Sequence, residues 1–92
     1  SQKAKSVIPN KVYQSTACGK CTVTMNSDVL WEFYDKEDLV TCNNNPESLA
    51  LILTTLINDK IKINQIAENG FNRFQKNYIK AKNDLEKFIK SI

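Results

Sequence analysis

The chain contains no histidine. That absence removes the commonest general base, the serine and cysteine triads that depend on an imidazole, and most zinc sites. Cysteine is sparse and odd in number, with three residues, which argues against the disulfide framework of a secreted domain. Glycine and proline occur twice each; with the abundance of Lys, Ile and Asn, this is a compositional bias and not a functional signal. No uninterrupted apolar run approaches the roughly 18–20 residues of a membrane span, and no signal-peptide pattern opens the chain. A soluble, cytoplasmic protein is expected. Nor is there a strong charge of either sign. Thirteen basic residues against ten acidic ones leave a net charge of +3, too mild to indicate nucleic acid, because phosphate binding needs basic residues concentrated on one face.

What is present is small. Ninety-two residues make at most one domain, and a chain of this length buries only about 60–65% of the surface its unfolded form exposes. Its core is thin, and any function uses few elements or borrows a partner.

The first six residues, Ser1 to Ser6, are polar without period and read as a disordered lead-in. From Pro9 the pattern turns helical: Pro9 or Asn10 can open a helix, Val12, Tyr13, Thr16 and Ala17 fall on one face, and Gly19 is a natural stop. Cys21, Val23 and Met25 alternate with Thr22 and Thr24, the signature of a strand. Asn26-Ser27-Asp28 is turn-and-cap chemistry ahead of a short helix carrying Val29, Leu30, Phe33 and Tyr34. A charged loop, Asp35 to Glu37, leads into a second strand, Leu39 to Cys42. Asn45-Pro46-Glu47 reads as cap, proline at the first helical position and acid in the first turn.

Leu49, Ile52, Leu53 and Leu56 make the helix that follows amphipathic. A longer helix carries Ile63, Ile66, Ala67, Gly70, Phe71, Phe74 and Tyr78 on one stripe, and Ala81, Leu85, Phe88, Ile89 and Ile92 mark a last one. Gly70 within a stripe costs about 1 kcal/mol relative to alanine, so close packing against a neighbour is the reason to expect for it. The order is helix, strand, short helix, strand, then three helices, which implies a parallel sheet covered by helices. Two short parallel strands with four to five helices cannot easily bury both sheet faces. The expected class is α/β, as a partial Rossmann-like unit spanning residues 1–92. Trp31, Phe33 and Tyr34 are expected in its core. Lys60, Lys62, Arg73, Lys76, Lys80, Lys82, Lys87 and Lys90 are expected on solvated helix faces, with acidic partners or lipid headgroups as the lesser reading.

The stretch Thr16-Ala-Cys-Gly-Lys-Cys-Thr-Val23 contains a C-x-x-C. A thioredoxin-like site needs its thiol at a helix N-terminus after a strand; here Cys18 sits near a helix end, where the partial negative charge raises a thiol pKa. Structural zinc wants four ligands, and three cysteines without histidine do not supply them. Cys18, Cys21 and Cys42 are therefore read as small, mostly buried hydrophobes, and no metal site is expected.

The longer run from Ile8 to Thr24, Ile-Pro-Asn-Lys-Val-Tyr-Gln-Ser-Thr-Ala-Cys-Gly-Lys-Cys-Thr-Val-Thr, resembles the P-x-K-x-x-E-x-x-A-x-G-K-P-V-V signature of GT-B-type glycosyltransferases, which lies in their C-terminal, nucleotide-sugar-binding domain. Cys18 then occupies a small-residue position and Cys21 stands where proline is usual. Downstream, "NNPESLALILTTLIND" resembles the family's "d-p-e-e-L-A" helix and "IAENGFNRFQKNYI" its "i-a-e-n-G" helix, in the same order. The resemblance covers roughly Val7 to Ile79.

This resemblance implies a transferase that moves a sugar from a nucleoside-diphosphate sugar to a glycan or lipid acceptor, with no cofactor. It implies that Pro9, Asn10 and Lys11 lie near the diphosphate, where a helix N-terminus binds anions through unpaired N–H groups, and that Gln14 lies at the ribose. The catalytic groups are not identified. The family's acidic pair, E-x7-E, falls at Ser6 and Gln14, neither of them acidic. Gln14 keeps an acceptor oxygen without the charge, and charge-assisted bonds are roughly twice as strong as neutral ones. Read without the resemblance, Lys11 is a solvated lysine near a helix start and Gln14 a surface residue. The family's N-terminal domain has no counterpart in these residues, so the chain is expected to be the last segment of a longer enzyme, possible as a homodimer in isolation. Two other classes compete: a stand-alone helical module that binds a protein or membrane, and a C-x-x-C redox or metal module.

Overall fold

Pro9 caps the first helix from outside, and the Val12 N–H donates back to its carbonyl at 3.0 Å. This helix, α1, runs Asn10–Ala17 in a computed structural model that describes residues 8–91. The lead-in expected over Ser1 to Ser6 lies outside the described residues. Gly19 ends α1 as its conformation allows: at φ +69° it lets its own N–H reach the Thr16 carbonyl and the Lys20 N–H the Ser15 carbonyl, both at 3.1 Å. Those two bonds satisfy carbonyls that the helix end would otherwise orphan.

Strand β1 (Val23–Met25) follows, then a short helix α2 (Leu30–Phe33) and strand β2 (Val40–Cys42). The strands pair in parallel, with Val23 opposite Val40 and Met25 opposite Cys42. The ladder runs past both ends, since the Val40 N–H donates to Thr22 O at 2.8 Å and the Asn26 N–H to Cys42 O at 2.9 Å. A parallel pair requires a crossover, and residues 26–39 with α2 provide it. The core sits under this crossover: Ile8, Val12, Leu30, Tyr34 and Leu39 are buried together, with Tyr13, Val29 and Trp31 packed against them. Of the three aromatics expected inside, only Tyr34 is fully buried; Trp31 is half-buried and Phe33 exposed. A four-residue helix turns one face inward and the rest outward.

Helix α3 (Pro46–Ile57) opens as its sequence dictates: Asn45 Oδ1 accepts the Ser48 N–H at 2.7 Å and Pro46 takes the first position. Its apolar face is less covered than expected. Leu56 is buried, but Leu49 and Leu53 remain 41% and 46% exposed, because a two-stranded sheet presents too little surface to cover them. Asp59 then caps α4 through Oδ1, which accepts the Lys62 N–H at 3.0 Å. Helix α4 is continuous from Lys60–Lys90, which corrects the expectation of a separate last helix from Ala81 to Ile92; Ile92 itself lies outside the described residues. No glycine or proline interrupts residues 71–90, and Lys80, Ala81 and Lys82 are strong helix formers. The described residues therefore hold four helices and one two-stranded parallel sheet. No helix among them is long and apolar enough to cross a membrane.

Candidate functional site

Asn10, Lys11 and Gln14 are all exposed on α1, and so is Pro9 before it. Residues three and four apart are neighbours on a helix, so Gln14 shares one face with Lys11 and Asn10. The opposite face holds Val12 and Thr16, both buried. The first turn of α1 contains no acidic residue. An anion approaching the N–H groups that a helix start leaves without an intrahelical partner meets Lys11 and no carboxylate of that turn. Ser6, the other position implied by the resemblance, lies outside the described residues.

The buried face of α1 is held by two contacts. Thr16 Oγ1 donates to the Val12 carbonyl at 3.0 Å and lies 3.0 Å from the Tyr34 hydroxyl. Burial pushes the Tyr34 phenol above its ordinary value of 10.0. The Thr16 hydroxyl, which can turn to donate to a phenolate, opposes that rise, while the nearby Tyr13 and Asp38 add to it. The second contact is α4. A β-carbon placed on Gly70 would stand 3.3 Å from Thr16 Cγ2 and 2.5 Å from the Asp38 carbonyl oxygen, so the close packing expected of this glycine is present.

Around Gly70 a polar seam grips the segment from Phe33 to Asp38. Asn69 Nδ2 donates to the Glu37 carbonyl at 3.2 Å, Arg73 Nε to Asp38 Oδ2 at 2.9 Å, and Asn77 Nδ2 to the Phe33 carbonyl at 2.8 Å. The second arm of Arg73 reaches Asp35 Oδ2. Asp38 Oδ2 also accepts the Asp35 N–H at 2.6 Å. The bond to Asp38 raises the Arg73 guanidinium pKa further, aided by the charges of both aspartates and opposed by burial. Arg73 is thus no solvated-face cation, as its place among the lysines suggested. The four-residue spacing of Asn69, Arg73 and Asn77 was the available sign, since it places all three on one stripe of the helix.

Cys18 is exposed at the carboxyl end of α1, and burial pushes the Cys21 thiol up from 9.0, away from the thiolate that redox chemistry uses. The expectation of mostly buried cysteines is corrected for Cys18, while Cys21 and Cys42 are half-buried. Cys18 is the helix cap and faces solvent, beyond the last buried turn.

A family model described as glycosyl transferase-like matches residues 1–89. The chain belongs to the glycosyl transferase-like family. The match spans α1, both strands, α3 and nearly all of α4, so the seam and the exposed face of α1 are parts of one family unit. It supports a general glycosyltransferase function. No curated protein and no solved structure matches the chain. In this glycosyl transferase-like chain, Asn10, Lys11 and Gln14 lie together on α1, held from behind by Thr16, Tyr34 and Gly70.

Proposed function

We propose that the chain is the C-terminal part of the donor-binding domain of a GT-B-type glycosyltransferase. In this reading Pro9, Asn10 and Lys11 receive the diphosphate of a nucleoside-diphosphate sugar and Gln14 accepts a hydrogen bond from its ribose. The observation that carries it is the exposed, acid-free first turn of α1, with Asn10, Lys11 and Gln14 on one face. A helix start of this kind favours phosphate through its free N–H groups and its dipole.

The reaction breaks the bond from the anomeric carbon to the diphosphate oxygen and forms one to a hydroxyl of a glycan or lipid acceptor. The nucleoside diphosphate leaves and the hydroxyl proton passes to a base. A preceding N-terminal domain supplies the catalytic groups, and no cofactor is needed. Leu85, Phe88 and Ile89 on α4 are each more than half exposed, as a helix awaiting another surface would be; that domain is the occupant in this reading, a second copy of the chain the alternative. Three free thiols suit a reducing, cytoplasmic compartment.

The test is an amide NMR titration of the chain with UDP-, GDP- and ADP-sugars. Selective shifts from Val7 to Gln14 with one nucleotide are expected, weakened in Gln14→Ala and strengthened in Gln14→Glu, which restores a charged acceptor. Shifts that ignore every nucleotide, or that are the same in all three proteins, overturn the assignment.

A further inference from the structure

A second concavity, apart from α1, combines an aromatic wall with unpaired positive charge. A cleft of about 530 Å³ opens between α2, β2 and the first turns of α4, with Asn26, Trp31, Lys36, Thr41, Lys62 and Ile66 on its walls. Small-molecule sites occupy roughly 300–1,000 Å³ and are built from apolar and aromatic walls with a few polar groups. Trp31 packs against the core cluster yet stays half-buried, so its indole is braced on one side and open on the other.

The charges facing this cleft have one sign. Lys36 and Lys62 are exposed, and among the described residues neither has an ion pair. Of the acids near them in the chain, Asp35 and Asp38 hold Arg73, Asp59 accepts the Lys62 backbone N–H as the cap of α4, and Glu37, next to Lys36, is exposed but does not line the cleft. No carboxylate lines the cleft. An indole face, an amide, a hydroxyl and two ammonium groups suit a ring with an apolar face, several hydroxyls and a negative charge.

We propose that this cleft binds an anionic sugar, a pyranose bearing a phosphate or a carboxylate. The choice of a sugar rests on the glycosyltransferase reading; the need for a negative charge rests on the two lysines alone. The ring's apolar face lies on Trp31, Asn26 and Thr41 take hydroxyls, and Lys36 and Lys62 take the charge.

Trp31 is the single tryptophan of the chain, so its fluorescence reads this cleft directly. Glucose 6-phosphate and glucuronate are expected to change the emission saturably, with glucose and inorganic phosphate far weaker at equal concentration. The stronger of the two anionic probes names the charge the cleft prefers. The double variant K36Q/K62Q, at two exposed positions, should keep the wild-type circular dichroism and lose about fivefold or more in affinity for the anionic sugars. No saturable change with either anionic sugar, or an unchanged affinity in K36Q/K62Q, overturns the proposal. A response to phosphate equal to that for glucose 6-phosphate overturns the sugar assignment. Failure here is distinct from failure at α1: nucleotide shifts at Val7 to Gln14 without a Trp31 response sink only the cleft, and the converse sinks only the donor reading.

Discussion

The α-carbon of Gly70 passes so close to Asp38 that a β-carbon there would stand 2.5 Å from the Asp38 carbonyl oxygen. The obstacle is backbone, held in place by the seam beside it, and cannot swing aside as a side chain would. Alanine would gain about 1 kcal/mol of helix propensity, but relieving the overlap forces α4 away from both Asp38 and Thr16, and overpacking commonly costs about 1–3 kcal/mol. Gly70→Ala is expected to lower stability in urea unfolding, by up to about 2 kcal/mol net. A variant as stable as the parent would show that the Asp38 turn yields.

Arg73 joins α4 to Asp38, whose side chain is only 7% exposed. Removing one partner of such a pair leaves a buried charge without compensation, at about 3–5 kcal/mol when both partners are fully buried. Arg73 itself is about one-third exposed, so Arg73→Leu is expected to cost less than that, about 2–3 kcal/mol. Lysine cannot span both aspartates with a planar fork, so Arg73→Lys should recover only part of the loss. Equal urea midpoints for Arg73→Leu and the parent would refute a structural role for the pair.

Tyr34 should make stability fall in alkali. Its phenol lies above 10.0 in the folded chain, chiefly through burial. Above the unfolded value the unfolded chain sheds this proton while the folded one retains it, so unfolding gains on folding as pH rises. The contribution is complete below pH 10 and disappears as pH climbs through the raised folded value. Urea midpoints measured from pH 9 to 11.5 should decline, and Tyr34→Phe, which cannot ionise there, should decline less steeply. Parallel declines in the two proteins would remove Tyr34 as the cause.

The parts of the fold that were legible in the sequence are those whose cause lies within one turn of chain. Gly19 ends α1, Asn45-Pro46 starts α3, and the period-2 run from Cys21 to Met25 holds a strand, at Val23–Met25, because capping, left-handed glycine and alternation act between residues at most four apart. The break expected after Tyr78 is absent, because no residue there stops a helix and a change in side-chain pattern alone does not end one. The exposed face of α1 was also readable, as its positions follow from helical spacing once the helix start is placed.

Helix, strand and turn signals, the parallel order and the family likeness were thus determined by the sequence itself, because local conformational preference and motif order survive without any long-range contact. Which charges are structural and which are free was decided only by the tertiary fold. Arg73 stands 35 and 38 residues from its two carboxylates, a separation no periodicity encodes, and it looked like the lysines around it. Trp31 and Lys36 from the crossover and Lys62 from α4 share a cleft only once α4 packs with Gly70 against Asp38. Burial and charge pairing depend on which surfaces meet, and that meeting is set by the packing of distant elements.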